Sequence, residues 1–538
     1  MNFTEEQNEA ITTTNAQVSV VAAPGSGKTA VLVARVAHLI ATGISPEQIA
    51  VVTFTRSAAK EIQERLGPDI PLGHCGTLHA LAMKVVQEAG AIKTVIDDAL
   101  AKKLLVECMA SLKIKLPITK LWRYARKPGF IDADFTSQHQ IVLDEYRRLK
   151  VANKMLTYDE VIMEAVCYLK VKSHHRFDTV LVDEAQDCNK EDWLLLMILA
   201  SDVYAIGDPE QSLFGFRGAQ PQLMTHEARG VLKMKGCFRC ARVICEAANR
   251  LIEHNGHKRN LGSSIVPIRD ADGEIVIWRN VPDQDTEAKA IQSAIERNAQ
   301  GQSVAVLART NAIVNDVAER LRALGVKVRE TRKIKGDDET ARLKLFVSFC
   351  ADPENDVLAR WWLTETLGED QAKREANAAA KAMETINTHA LKIPKFETVV
   401  EFLEHMDKSQ LQLLFGTDAR LLLNQAVRKV GVFAKLTELA AALDEPETQM
   451  VEDGEGLDCM TLHGAKGREW DIVIIVGMEE GTLPSKQATL EEERRLLYVG
   501  ITRARDTVIL SRCVRRDVNA WDKGEVRAPS LFLDELGV

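Results

Sequence analysis

Short apolar runs that end abruptly in turn-forming residues punctuate the first part of the chain. Residues 17–22 (QVSVVA), Ile49–Phe54, Thr179–Val182 and Val203–Ile206 are mostly β-branched and bounded by Gly, Pro, Asp or Ser, so they read as buried strands. Between the first two, apolar positions return at helical spacing from about Lys28 to Ile40, and a second helix runs to about Leu66. A second series opens near residue 231, with strands expected at Val231–Lys235, Glu274–Trp278, Ser303–Leu307 and Val326–Glu330. It resumes at Leu457–Thr461, Asp471–Val476 and Thr507–Leu510. Alternating strands and helices predict parallel sheets. The stretches 77–175 and 340–450 carry helical patterns and interrupt the two series. The expected fold class is therefore α/β: two parallel-sheet domains in tandem, each with a helical insertion. The expected parts are 1–76 with 176–230, the insertion 77–175, then 231–339 with 451–538, and a shortened insertion 340–450.

Composition narrows this little. At 538 residues the chain can bury several cores. Its formal net charge of −8 argues against coating nucleic acid by bulk charge, yet leaves room for a local basic groove. No apolar run is long enough to span a bilayer, and MNFTEEQNEAI does not resemble a signal peptide. Ten scattered cysteines fit a reducing compartment, so a cytoplasmic protein without a membrane partner is expected.

The chemistry begins at Ala22, Ala23, Pro24, Gly25, Ser26, Gly27, Lys28 and Thr29, between a strand and a helix. A glycine-rich turn there can cradle phosphates on backbone amides; Lys28 neutralises phosphate oxygens, and Thr29 offers a hydroxyl to Mg²⁺. Such a loop needs an acid at a strand end. VLVDEAQD at 180–187 supplies Asp183 as a second Mg²⁺ contact and Glu184 to polarise an attacking water. The run NKED at 189–192 matches a guanine-reading motif, but it follows the acidic cluster too closely and reads as a helix start. Cys237, Cys240 and Cys245 form C-x2-C-x4-C without a fourth ligand at a familiar spacing, so they are expected to be ordinary reduced thiols.

With FTEEQNEAI, the phosphate loop, VTFTRSAAKEI, GTLHALA, DEAQD, GDPEQSLFGFRGA, CFRC, TLHGAKGREW and VGITRAR in order from residue 3 onward, the chain resembles the UvrD/Rep/PcrA-like DNA helicases of superfamily 1. The resemblance implies tandem RecA-like domains that use ATP and Mg²⁺. It also implies that Gln7 reads adenine, with Phe238 near the base and Glu469 on the ribose. Gln211, Arg239 and Arg503 become γ-phosphate contacts beside Lys28, Asp183 and Glu184, with Arg503 the arginine finger. Phe54, Thr55, Arg56, Thr77, His79, Phe214, Phe216, Arg217, Thr461 and His463 become the DNA contacts. This chain departs from the family at Ala22 for glycine, Phe214 and Phe216 for tyrosine and tryptophan, Cys237 and Cys240 for polar residues, and Gly464 for serine.

The activity so implied is ATP-driven translocation on single-stranded DNA and unwinding at single/double-strand junctions, with 3′-to-5′ polarity, in repair, recombination or replication. A translocase that strips proteins from DNA would need the same motifs. A DNA-binding scaffold with weak ATPase is the alternative that intact catalytic residues disfavour.

Overall fold

A computed structural model describes residues 3–67, 69–89, 94–126, 132, 134–171, 175–213, 215, 218–226, 229–256, 264–297, 301–333, 338–382, 391, 393–406, 417–431, 434, 436–444, 450–453, 456–516 and 526–537. The chain divides into two compact units. One comprises residues 1–78, 172–331 and 452–538, and the other 79–171 and 332–451.

The first unit holds two parallel sheets. Strands β1 (Gln17–Ala22), β2 (Ile49–Thr53), β3 (His74–Thr77), β4 (Phe177–Val182), β5 (Ala200–Gly207) and β6 (Gly230–Met234) form one, in the order β3-β2-β4-β5-β1-β6. A short ladder pairs β7 (Gly236–Cys237) with β8 (Val266–Pro267). The second sheet contains β9 (Glu274–Val281), β10 (Val304–Ala308), β11 (Asp458–Thr461), β12 (Trp470–Val476) and β13 (Ala504–Cys513), in the order β9-β13-β12-β10-β11. The central strands β1, β4 and β12 are almost wholly buried, as their unbroken apolar runs require.

Two differences from the sequence reading are physical. The strand expected at Val231–Lys235 as the start of the second series is β6, and it pairs with β1 in the first sheet. Parallel strands carry the same apolar signature in either sheet, so only pairing reveals membership. In addition, β3 (HCGT) has no apolar run, and all four of its residues are half-buried at the sheet edge.

Helices of the same unit include α1 (Glu5–Thr12), α2 (Lys28–Ala41), α3 (Arg56–Leu66), α4 (Arg242–Glu253), α5 (Asn311–Ala323) and α6 (Leu490–Ile501). NKED is a reciprocal cap on the helix Lys190–Leu199: the Asp192 amide donates to Asn189 Oδ1 at 2.8 Å, and the Asn189 amide to Asp192 Oδ2 at 3.0 Å.

The second unit is mainly helical. The two inserted stretches share one apolar core, in which Leu104, Tyr124 and Tyr146 of the first join Phe349, Trp361 and Phe402 of the second. Thr94 Oγ1 donates to Asp352 at 2.8 Å, and Asn355 to the Asn153 carbonyl at 3.2 Å. Local periodicity identifies the helices but cannot show that stretches so far apart in sequence fold together. Among the described residues no helix is long and apolar enough to cross a membrane.

Candidate nucleotide and nucleic-acid site

All chemistry-bearing segments of the first sheet leave from the C-terminal ends of adjacent parallel strands, where α/β sheets bind ligands. The phosphate loop follows β1. Its Gly25 (φ +67°) and Gly27 (φ +82°) occupy the left-handed region that disfavours a side chain. Gly27 precedes α2 without a side-chain cap, so the first amides of α2 remain directed at the loop. Lys28 Nζ reaches the Ala22 carbonyl at 3.5 Å. The Ser26 hydroxyl is buried with no protein partner, and the Gln7 amide donates to the Ser26 carbonyl at 3.0 Å. The Gln7 oxygen accepts from the Thr4 amide at 2.9 Å. By count, one N–H and one lone pair of Gln7 remain, the pair that an adenine edge needs.

Asp183 follows β4, and its amide donates to Val52 of β2 at 2.9 Å. Glu184 sits in the left-handed region (φ 50°), a strained position for a side chain. Gln186 donates to the Glu184 carboxylate, and its own oxygen accepts from the Asp208 amide at 3.0 Å. Asp208 leads the turn after β5 and accepts from Gln211 at 2.8 Å.

The second sheet reaches the same place. Arg503, between α6 and β13, donates to Gln211 Oε1 at 3.0 Å and to the Val499 carbonyl at 3.0 Å. Only 3% exposed, it is locked by these bonds. Tyr498 donates to Asp208 at 3.4 Å, and Arg495 pairs with Glu210 at 3.2 Å. The Phe238 amide donates to the Gly25 carbonyl at 2.9 Å, and the Phe238 ring is 42% exposed. Arg239 pairs with Glu469 at 2.6 Å, and Arg505 bonds the other oxygen of the same carboxylate.

Lys466 is absent from the sequence reading. In the turn after β11, its ammonium donates to Asp187 and lies 3.6 Å from Glu184 and 3.4 Å from the Gln211 carbonyl. A lysine in a Gly-rich turn (HGAKGRE) reads as a solvated charge. The one available signal was its position three residues after His463, inside a recognised motif.

Of the expected strand contacts, Phe54, Thr77 and Thr461 lie at three more strand ends. Phe54 is 39% exposed after β2. Thr55 caps α3, accepting from the Ala58 amide at 3.2 Å. Thr77 ends the neighbouring strand, in register with Thr53. In the second unit, His79 stacks on Tyr158 with ring centroids 4.2 Å apart. In the second sheet Thr461 ends β11 and accepts from the Gly464 amide at 3.2 Å. Phe214, Phe216, Arg217 and the Arg56 side chain lie outside the described residues.

The UvrD/REP helicase N-terminal domain model matches residues 3–230, and the UvrD-like helicase C-terminal domain model matches 364–515. The chain belongs to the UvrD/Rep-like helicases. It is similar to the ATP-dependent DNA helicase PcrA of Staphylococcus aureus (strain Mu50) and to that of Staphylococcus epidermidis (strain ATCC 12228). Each is 24% identical over 99% of this chain and 86% of the relative. It is thus an ATP-hydrolysing enzyme of a DNA-acting family.

Electrostatics set the helicase site's protonation. Burial and the adjacent Glu184 charge push Asp183 above the usual carboxylate range. Burial also opposes ionisation of Glu184, but Lys466 and Lys28 outweigh it and hold this carboxylate low, with Arg503 adding to them. Burial lowers Arg503 to about 10, with Arg239 adding to the effect, and it stays cationic at neutral pH. Lys466 is held above its ordinary value: burial opposes, and Asp187 and Glu184 prevail.

His463 is pushed down to about 4 by burial and then by Arg309, so it is neutral at working pH. A depressed histidine favours the fold fully above the unfolded value near 6.5, and that contribution is lost as pH falls toward 4. A His463→Gln variant should therefore lose less stability than the parent between pH 6.5 and 4, read as melting temperature against pH. Parallel curves would mean that folding does not shift the His463 titration.

Proposed function

We propose that this helicase is a motor on single-stranded DNA that unwinds duplex from single/double-strand junctions, 3′ to 5′, in the cytoplasm, in repair, recombination or replication. The reading rests above all on one observation: Arg503 and Lys466, from the second sheet's side, meet Gln211, Glu184 and Asp187 at the end of the first sheet. In this reading the four parts expected from the sequence are the ATP-binding domain, the second motor domain and their two insertions, with β6 closing the first sheet.

Lys28 and the loop amides bind the triphosphate, Gln7 and Phe238 hold the base, and Glu469 the ribose. Thr29 and Asp183 would hold Mg²⁺; the unpartnered Ser26 hydroxyl and the buried acid pair fit that hard-cation chemistry. When bound, the ion neutralises phosphate oxygens. Glu184, kept ionised by its cationic neighbours, accepts a proton from the attacking water. Arg503 and Arg239 stabilise charge on the departing γ-phosphoryl group only while the seam between the sheets is shut, and Gln211 carries that state toward the strand. Phe54, Thr55, Arg56, Thr77, His79, Phe214, Phe216, Arg217, Thr461 and His463 grip the strand, the rings by sequence-tolerant stacking. Closure at each turnover thereby becomes a step.

The test compares ATPase and unwinding on 3′-tailed, 5′-tailed and blunt DNA, with an RNA control. Preference for the 3′ tail is expected; equal use of both tails, or stimulation by RNA alone, would remove the polarity or the track. Lys466→Ala is expected to reduce kcat more than tenfold with a smaller change in KM for ATP, and Lys466→Arg to restore part of it. Leaving buried Asp187 without its cation should also lower stability by about 3 kcal/mol. Unchanged kcat with lowered stability would make Lys466 purely structural.

A further inference from the structure

Around the Phe238–Arg239 pair this chain has Cys237 and Cys240, and Cys245 lies one turn into α4. All three are free thiols with no exposed surface. Among the described residues no group of His, Cys, Asp and Glu is arranged to hold a metal. The three instead face one another. The Cys240 thiol donates to the Thr502 carbonyl at 3.5 Å. The Cys240 amide also donates to Cys237 Sγ at 3.3 Å, and Cys245 Sγ lies 3.7 Å from the Cys240 carbonyl.

Their setting ties them to the phosphate loop. A methyl group added at Gly25 would come within 3.0 Å of Cys237 Sγ and 2.6 Å of Arg239 Cβ. The loop therefore touches Cys237 directly, and the two residues between Cys237 and Cys240 carry the Gly25 and Glu469 contacts.

We propose that Cys237 is an oxidative modification site: a peroxide converts it and a neighbouring cluster thiol to a disulfide that disables the phosphate loop. In the first step the Cys237 thiolate attacks one peroxide oxygen. The O–O bond breaks, hydroxide leaves and takes a proton to become water, and Cys237 becomes a sulfenic acid. The Cys240 or Cys245 thiol then attacks that sulfur. The S–O bond breaks and a second water departs, so two thiols are oxidised by two electrons and one peroxide is reduced to two waters. The Cys240 amide, donating to Cys237 Sγ at 3.3 Å, favours the thiolate at this sulfur and supplies the nucleophile. Access comes when the seam opens between turnovers, so the accessibility and the consequence rest on the motor reading. A bond from Cys237 Sγ to a second cluster sulfur draws Cys237 off Gly25 and shifts the backbone that carries Phe238 and Arg239.

The test uses the full chain with Cys167, the exposed thiol, changed to Ser to prevent cross-linking. The reduced protein is titrated with hydrogen peroxide. Disulfides are mapped by peptide mass spectrometry, and strand-stimulated ATPase is read at each point. The expectation is a Cys237–Cys240 or Cys237–Cys245 peptide appearing in step with an ATPase loss of about tenfold or more, reversed by dithiothreitol. A magnesium complex of a non-hydrolysable ATP analogue should slow the oxidation. A Cys240→Ser, Cys245→Ser variant should keep its basal ATPase and resist inactivation. Free cluster thiols at full inactivation, or a cluster disulfide with unchanged ATPase, would overturn the proposal. If reduced protein shows no strand-stimulated ATPase, the motor reading fails; the peptide map still reports whether Cys237 forms the bond.

Discussion

An Arg503→Ala variant is expected to bind ATP nearly as well as the parent and to hydrolyse it about 10³-fold more slowly, the lower end of what an arginine finger contributes. The expectation follows from how the guanidinium is held. Its Nη2 donates to Gln211 at 3.0 Å and its Nε to the Val499 carbonyl at 3.0 Å, leaving little freedom to relax elsewhere. Together with Lys28 and Lys466 it bears on Glu184, so three cations from two sheets converge on one carboxylate. Removing one that acts on developing charge slows the chemical step and leaves ground-state binding largely intact. Because Arg503 is also buried, the variant should lose some thermal stability. Arg503→Lys separates the two effects: it retains a charge but not the planar fork, and should recover stability more than turnover. Single-turnover hydrolysis and nucleotide binding by fluorescence provide the readout. Normal turnover in a folded Arg503→Ala protein would move the finger elsewhere, Arg239 being the next candidate.

How much of this site was legible in the sequence depended on whether a residue's role was local. The phosphate loop was legible because strand, glycine turn, Lys-Thr and helix lie within one short segment. Asp183 was legible because an apolar strand runs straight into it. By contrast, β3 was missed because HCGT carries no apolar run, and β6 was placed in the wrong series because its pairing with β1 leaves no trace in its own residues. The shared core of the two inserted stretches was invisible for the same reason: Trp361 and Leu104 join one core only after folding. Lys466 is the instructive case. Its partners Asp187 and Glu184 lie far upstream, and an ammonium between glycines looks solvated until the fold buries it between two carboxylates. Residues that act across the seam between the sheets are thus the ones that a linear pattern hides. Arg503 was recovered only through its motif.

For Lys28→Ala the expected outcome is loss of strand-stimulated ATPase by at least about 10²-fold, with single-strand binding retained. Lys28 is the first residue of α2, after a left-handed Gly27 that leaves the helix amides uncapped, so its ammonium and the helix N-terminus act on the same anion. Its charge also lowers the cost of keeping Asp183, Glu184 and Asp208 together in a buried site, since it stabilises each as a carboxylate. The variant therefore loses a phosphate contact and loosens the acid cluster. The expected strand contacts at Phe54, Thr77, Thr461 and His463 leave from other strand ends and need neither effect to persist. Anisotropy of a labelled oligonucleotide and a coupled ATPase assay, run on the same preparation, separate the two activities. Undiminished hydrolysis would put the phosphate site elsewhere. Joint loss of hydrolysis and strand binding, in a protein that still melts cooperatively, would mean that nucleotide and strand share one site rather than two coupled ones, and stepping by closure of the seam would have no physical basis.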